Sequence, residues 1–258
     1  MNGGKFITIQ PKQTHMDPAV LREDMVDSLE SEAKGRLTCG NLSVAMREVP
    51  RHQFIDGPRA YEDVQHELRG STVLSPRLVA TLFEALEVNS GDSVLIVGAG
   101  IGYTAAVAAE LSEAAEVHAI DIDRELVIIA RQNLARAGYR EVLVDCRDGA
   151  VGLTEYAPYD RILVEAAAVE PPRPLLDQLA PDGRLVIPLG VRPQRLVAFN
   201  PLGPLREGPS VRFKPLLVEG EQAGAIERNR TMREDIERAQ TADRTRPGWE
   251  LEWLDWSD

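Results

Sequence analysis

The sequence predicts an α/β fold built on a doubly wound, mainly parallel β-sheet. Three observations carry this prediction: strands and helices alternate through the middle of the chain, one strand runs through a glycine-rich turn into a helix, and an acidic residue ends the next strand. At 258 residues the chain is long enough for one such domain with extensions at both ends.

Apolar runs and helical periods alternate from residue 93 onward. The predicted strands are 93–97, 116–121, 141–145 and 160–166, and the predicted helices are 103–113, 124–137 and 173–180. This alternation is typical of parallel strands joined by helices. After a turn at 181–183, a strand at 184–188 and extended segments at 195–199 and 211–218 predict an antiparallel hairpin around the turn 200–204.

The predicted domain organisation has four parts. Residues 1–15 show no apolar period and are expected to form a disordered leader, and residues 16–75 contain N-terminal helices and a loop. Residues 76–222 form the α/β core. Residues 223–258 are rich in charge and are expected to form a helical tail, in which Trp249, Trp253 and Trp256 share one apolar stripe that docks on the domain.

Composition excludes several classes of protein. The net charge is −12 and no run of basic residues occurs, which disfavours general binding to nucleic-acid backbones. No apolar stretch is long enough for a membrane span, and the polar first residues lack a signal-peptide core. Cys39 and Cys146 stand alone, so no disulfide framework or metal site is expected. We expect a cytoplasmic protein, and the acidic, lysine-poor composition resembles that of proteins from salt-loving archaea.

The glycine turn predicts a cofactor site. Gly98, Gly100 and Gly102 follow a buried strand and precede a helix, so the backbone can approach a ligand near unpaired helix N–H groups. A dinucleotide fold places its third glycine one position later, where this chain has Tyr103. Asp121 ends the next strand about 20 residues on, where an acid binds a ribose. A tight turn alone would explain the glycines but not Asp121, and S-adenosylmethionine is the cofactor that fits.

Four motifs in order carry a resemblance to a known family. They are VPRHQF at 49–54, AYED at 60–63, GSTVLSP at 70–76 and the glycine turn with Gly102-Tyr103. Together they resemble the protein-L-isoaspartate O-methyltransferases. Further similar segments lie at 147–149, 159–167, 183–190 and 213–217, so the likeness covers about residues 43–222 and leaves the tail unexplained.

The resemblance implies a fold, a cofactor and a reaction. The fold is a Rossmann-like, seven-stranded methyltransferase sheet, mostly parallel with an antiparallel C-terminal hairpin. The cofactor is S-adenosyl-L-methionine, and the substrate is an isoaspartyl peptide or protein, whose α-carboxylate is methylated for repair. The implied cofactor residues are Gly98, Ala99, Gly100, Gly102, Tyr103, Asp121, Ile122, Asp148, Gly149, Glu165 and Gln222.

Among these residues, the glycines would line the methionine part, Asp121 would bind the ribose, Asp148 with Gly149 would face the adenine, and Gln222 would close the far end. The loop with Thr72, Leu74 and Ser75 would cover the sulfonium and meet the substrate carboxylate.

Three positions depart from the family pattern. The family's Thr-Ile-Ser-Gln-Pro places a serine where this chain has Leu74, and Ser75 comes one place late. Where the family has an acidic residue in the first strand, this chain has Ile96. Where the family has a threonine after the fourth strand, this chain has Glu165. Because a carboxylate is already an anion at neutral pH, methyl transfer needs no general base, and we expect the Leu74 enzyme to be slow but active.

Two alternatives follow from these departures. An ionised Glu165 would repel a carboxylate and attract a cation, which favours a methyltransferase acting on an amine or another small molecule. A non-catalytic binding module of the same fold is the second alternative. The partners expected are isoaspartyl substrates, with no nucleic acid and no membrane, and the chain is expected to be a monomer.

Overall fold

The computed structural model describes residues 17–31, 37–68, 70–113 and 116–217. The predicted leader 1–15 and tail 223–258 lie outside these residues, and so does Gln222. Among the described residues, no helix is long and apolar enough to cross a membrane.

The described chain begins with helices and a small hairpin that precede the main sheet. The elements, in order, are α1 (Pro18–Glu30), α2 (Gly40–Glu48), β1 (His66–Leu68), β2 (Ser71–Val73), α3 (Pro76–Leu86), β3 (Val94–Val97), α4 (Tyr103–Leu111), β4 (Val117–Asp121), α5 (Arg124–Ala137), β5 (Leu143–Cys146), β6 (Tyr159–Val164), α6 (Arg173–Asp177), β7 (Leu179–Leu189), β8 (Gln194–Asn200) and β9 (Gly203–Val211). Strands β1 and β2 pair antiparallel inside the segment that the sequence predicted as loop.

The main sheet has seven strands in the order β5-β4-β3-β6-β7-β8-β9. Strands β3 to β7 pair in parallel, and β8 runs antiparallel between β7 and β9. The predicted fold class is therefore confirmed. The strand order reverses between β4 and β6, on either side of β3, and such switch points are where doubly wound sheets bind ligands.

Strand β3 is central because it is apolar on both faces. Val94 and Ile96 pack with the N-terminal helices and α3 to α5, whereas Leu95 and Val97 pack on the opposite face with α6 and the neighbouring strands. All four side chains are buried. Side chains that alternate between two covered faces explain the continuous apolar run in the sequence.

Helix ends follow local signals. Asp17, Ser75 and Asp123 accept hydrogen bonds from the first backbone N–H groups of α1, α3 and α5. Gly138 ends α5 in the left-handed region, which glycine adopts without strain. The cap at Asp123 starts α5 at Arg124, as predicted, and the cap at Ser75 ends the loop that precedes α3.

The last strand is not where the sequence predicted it. The expected segment was 211–218, but β9 is Gly203–Val211 and pairs only with β8. An edge strand tolerates Pro204 and Pro209 and needs no apolar alternation, so its sequence reads as a loop. The residues after Val211 leave the sheet, and Pro215 bridges Ala167.

Two smaller differences concern β6, β7 and α6. Helix α6 ends at Asp177, before the predicted residue 180, because Gln178 turns inward and its side chain bonds the loop at Val151 and Leu153. At 181–183, where we predicted a turn, the pairing between β6 and β7 is interrupted. Leu179 and Arg184 of β7 both pair with β6, and the residues between them do not.

Candidate active site

A cleft of about 2370 Å³ opens at the carboxyl ends of β3, β4 and β6. Its walls are the glycine turn, the hairpin β1–β2 and the segments 190–194 and 210–217. A cleft of this size exceeds the usual range for a single small ligand, which leaves room for a cofactor and part of a peptide.

The glycine turn forms one wall of the cleft. The N–H groups of Gly98 and Ala99 donate to the carbonyl oxygen of Ile120 at 2.8 and 2.9 Å, which ties the turn to the end of β4. Gly98 and Gly100 have φ angles of +92° and +51°, in the left-handed region that favours glycine. A Cβ on Gly98 would lie 3.4 Å from the Cβ of Glu165, so the turn also runs close to the end of β6.

Gly102 packs against α5 behind the glycine turn. It does not line the cleft, and a Cβ there would lie 3.3 Å from the Cβ of Ala130 and 3.1 Å from Leu134 on α5. Gly102 therefore allows α4 and α5 to pack closely. Tyr103, the next residue, lines the cleft with a buried side chain.

Asp121 lies at the end of β4 with its carboxylate beside the glycine turn. Its two oxygens accept hydrogen bonds from the N–H groups of Gly100 and Asp123, both at 2.9 Å. Burial raises the pKa of this carboxyl above its usual value, and the two backbone donors oppose that rise. A carboxylate has about four acceptor sites, so acceptor capacity remains for a ligand hydroxyl. Ile122 lines the cleft next to Asp121.

Of the two residues expected to face the adenine, Gly149 lines the cleft and Asp148 does not. Gly149 is buried in the cleft wall, and a Cβ there would lie 2.6 Å from Val97 and 3.1 Å from Leu216. Asp148 does not line the cleft, and its side chain accepts a hydrogen bond from the N–H of Ala150 at 2.8 Å. Cys146 lines this part of the cleft and was not predicted.

Glu165 follows β6 and faces the cleft beside Gly98. Its N–H donates to the carbonyl of Val97 at 2.8 Å, and its carboxyl bonds Thr104. The oxygen Oε1 is closed off from solvent and has no hydrogen-bond partner within the described chain. Burial and the nearby charge of Asp121 raise the pKa of Glu165 to about 8. Burial therefore favours the acid form of Glu165, whereas the sequence alone led us to consider an ionised side chain.

The substrate loop brings two of its three predicted residues to the cleft. Thr72 lines the cleft and donates from Oγ1 to Glu67 Oε1 at 2.7 Å. Leu74 lines it with a buried apolar side chain. Ser75 does not line it, because its hydroxyl oxygen accepts from the N–H of Leu78 at 3.3 Å and caps α3.

Ser71 was missed. Its Oγ would lie 3.7 Å from a Cβ on Gly100, so the hairpin β1–β2 lies against the glycine turn.

A buried arginine behind the loop was also missed. Arg51 is fully buried, and its guanidinium donates to the carbonyl oxygens of Ala60 at 2.7 Å and Leu74 at 2.6 Å. Its Cζ lies 4.4 Å from the ring centre of Tyr103. Arg51 thus links the substrate loop to the helix that follows the glycine turn. Arginine is almost never fully buried, so composition gave no signal for this position.

Comparison with known proteins agrees with this arrangement. The family model described as Protein-L-isoaspartate(D-aspartate) O-methyltransferase matches residues 22–216. A protein-L-isoaspartate O-methyltransferase of Aeropyrum pernix is 39% identical over 208 residues, which are 76% of this chain and 78% of that protein. One of Methanothrix thermoacetophila is 39% identical over 203 residues, 76% of this chain and 94% of that protein.

Solved structures give the same result for the fold. A crystal structure of a Plasmodium falciparum protein, titled as a putative protein-L-isoaspartate O-methyltransferase in complex with S-adenosyl-L-homocysteine, aligns with a TM-score of 0.69. It is 22% identical and covers 76% of this chain and 98% of its own. A second protein-L-isoaspartate O-methyltransferase structure aligns with a TM-score of 0.67 at 27% identity, covering 81% of this chain and 69% of its own. The chain therefore belongs to the protein-L-isoaspartate(D-aspartate) O-methyltransferase family.

Proposed function

We propose that this protein transfers the methyl group of S-adenosyl-L-methionine to the free α-carboxylate of isoaspartyl residues in damaged proteins. The observation that carries the proposal is the cleft at the switch point of the sheet, with the glycine turn and Asp121 on one wall and the substrate loop on the other. Membership of the family supplies the reaction class.

The residues present fit the cofactor. Gly98 and Gly149 line the cleft with backbone atoms alone, so a ligand can approach the main chain at both positions. The Asp121 carboxylate is held by the N–H groups of Gly100 and Asp123, and its remaining acceptor capacity would serve the ribose hydroxyls of the cofactor. We propose Gly98, Ala99, Gly100, Asp121, Ile122 and Gly149 as the residues that hold the cofactor, with Tyr103 and Glu165 beside them. When bound, S-adenosylmethionine supplies an electrophilic methyl group.

The chain's own contribution to catalysis is alignment and exclusion of water. The substrate carboxylate needs no base, since its pKa near 4 leaves it ionised at neutral pH. With the cofactor held by the glycine turn and Asp121, its sulfonium would supply the methyl group and one carboxylate oxygen would accept it, with loss of the methyl–sulfur bond. Positioning of reactants accounts for about 7–11 kcal/mol of such a barrier, whereas one hydrogen bond from a hydroxyl to a charged group contributes about 1.5–3. Leu74 therefore slows the reaction without abolishing it.

The protonation of Glu165 bears on the choice of acceptor. Burial raises the pKa of Glu165 to about 8, so the acid form is favoured at neutral pH. The repulsion of a carboxylate, and the attraction of an amine, are both weak under these conditions. A protonated Glu165 therefore removes the electrostatic reason for the amine or small-molecule alternative.

The proposal is tested with cofactor labelled in its methyl group. An isoaspartyl peptide and its aspartyl twin serve as acceptors, with an amine-bearing peptide of the same length as a third arm, all at high salt. We expect label in the isoaspartyl peptide alone. Transfer to the amine peptide instead would support the alternative acceptor, and no transfer with intact cofactor binding would support the non-catalytic module.

We also propose that the protein acts in the cytoplasm as a monomer and binds no nucleic acid. Cys39 and Cys146 are both exposed free thiols, which suits a reducing compartment. The net charge of −12 opposes binding to phosphate backbones. Sedimentation at two protein concentrations and a binding titration with duplex DNA test the last two points.

A further inference from the structure

The cleft has a cationic end that neither the glycine turn nor the substrate loop explains. Arg192, Arg212 and Lys214 line the cleft on the segments that follow β7 and β9. The segment that ends β4 brings three acids to the cleft, Asp121, Asp123 and Glu125, together with the single cation Arg124. The chain has a net charge of −12, so three cations at one end of the cleft contrast with its overall negative charge. An anionic ligand is attracted to that end.

The backbone of Lys214 is held by hydrogen bonds on both sides. Its carbonyl oxygen accepts from the N–H of Ala167 at 2.8 Å, and the N–H of Leu216 donates to the carbonyl of Ala167 at 2.8 Å. On the other side, the side chain of Gln194 bonds both the N–H and the carbonyl of Phe213. The backbone of Lys214 is thus held against Ala167, which follows Glu165 by two residues at the floor of the cleft.

The ammonium group of Lys214 reaches the substrate loop. Nζ donates to the carbonyl oxygen of Gly70 at 2.6 Å and lies 3.2 Å from Glu67 Oε2. The other oxygen of Glu67 accepts from Thr72 Oγ1 at 2.7 Å. A chain of polar contacts therefore runs from Lys214 to Thr72 across the mouth of the cleft, next to the apolar side chain of Leu74.

The ion pair with Glu67 is of a kind that exchanges readily. The side chains of Lys214 and Glu67 are 45% and 67% exposed, and ion pairs at such exposure contribute little to stability. A substrate carboxylate that enters the cleft can replace the Glu67 carboxylate on the ammonium group without loss of the bond to Gly70. Lysine presents three donors on a compact charge, which suits such an exchange.

We propose that Lys214 binds the carboxylate of the substrate and so sets the specificity of this cleft for an anionic acceptor. The inference rests on the proposed function. It explains how a chain with Leu74 in place of a hydroxyl residue still holds a carboxylate: a charged donor from the segment after β9 supplies the hydrogen bond. Lys214 is a substrate-positioning residue and takes no proton from the reaction.

The test compares Lys214→Met, Lys214→Arg and wild type, with Arg173→Met as the matched control. Arg173 lies on α6 with an 82% exposed side chain and does not line the cleft. We expect Lys214→Met to raise KM for an isoaspartyl peptide about tenfold or more, the factor that corresponds to one charged hydrogen bond. Lys214→Arg should recover most of the loss, and kcat and the Kd for S-adenosylhomocysteine should stay within about threefold in each variant.

Two results would overturn the inference. One is an unchanged KM in Lys214→Met. The other is an equal rise in KM in Glu67→Gln, because the ion pair would then act as a structural strap, whereas a competing acid should lower KM when removed.

Failure of the proposed function is distinguishable from failure of the inference. Absence of wild-type methyl transfer refutes the proposed function alone. The role of Lys214 is then decided by a binding measurement with a fluorescently labelled isoaspartyl peptide in the presence of S-adenosylhomocysteine. Weaker peptide binding in Lys214→Met with recovery in Lys214→Arg supports the inference. Equal binding in all three proteins, or binding in none, overturns it.

Discussion

Replacement of Arg51 by methionine tests the structural link between the substrate loop and the glycine turn. The guanidinium is fully buried and donates to the carbonyls of Ala60 and Leu74. Loss of both bonds leaves two buried carbonyl oxygens unsatisfied, at about 1–3 kcal/mol each. Loss of the contact with the ring of Tyr103 removes about 1–2 kcal/mol more.

An opposing effect lowers this sum. Burial lowers the pKa of Arg51, because the charged form is desolvated and has no bonded carboxylate, and Nη1 has no partner within the described chain. Methionine removes that desolvation cost and keeps much of the side-chain volume. We therefore expect Arg51→Met to lower the free energy of unfolding by about 3 kcal/mol in total, which is about 6–12 °C in Tm for a domain of this size.

The assay is urea unfolding of the full chain, followed by circular dichroism, with Arg59→Met as the control. Arg59 has a 70% exposed side chain paired with Glu62, so its replacement should cost less than about 0.5 kcal/mol. A loss below about 1 kcal/mol in Arg51→Met, at an unchanged slope with urea, would refute the argument that these hydrogen bonds hold the loop.

The remaining predictions concern the cleft. Asp121→Ala should weaken S-adenosylhomocysteine binding at least tenfold by calorimetry, whereas Asp145→Ala, at a partly exposed surface pair with Arg131, should leave it unchanged; equal affinities would contradict the assignment. Leu74→Ser should raise kcat on an isoaspartyl peptide about tenfold by adding a hydroxyl contact to the one proposed for Lys214, and a wild type as fast as the variant would show that the added hydroxyl contributes nothing. Because the pKa of Glu165 is raised to about 8 in the folded protein, the folded state binds this proton more tightly than the unfolded chain, so this residue's contribution to stability is lost as pH rises. Wild type should lose about 2 kcal/mol more than Glu165→Gln between pH 6 and 8 in urea unfolding, and parallel pH profiles would contradict the shift.

Local signals were sufficient for most of the parallel sheet. Helix α5 has the predicted bounds because Asp123 caps its start and Gly138 ends it in the left-handed region. Strand β3 could be predicted because both of its faces are covered, which requires an apolar residue at every position. The edge strand β9 could not be predicted, because a strand at the edge of a sheet needs no alternating apolar residues and tolerates proline.

The site was less predictable than the fold, for physical reasons. Glycine spacing indicates close approach but does not say to what, so Gly102 was assigned to the ligand although it faces α5. The charge of Glu165 depends on desolvation, which arises only in the folded cleft. Lys214 and Gly70 are 144 residues apart, and no local pattern brings such a pair together.

The most direct test of the account is mass spectrometry of one isoaspartyl peptide incubated with S-adenosylmethionine and either wild type or Asp121→Ala. We predict a methyl ester of the isoaspartyl peptide with wild type, followed by succinimide as the ester cyclises, and little of either product with the variant. An aspartyl twin in the same tube should remain unmodified. Ester formation on both peptides, or none on the isoaspartyl peptide while wild type binds the cofactor, would contradict the central claim.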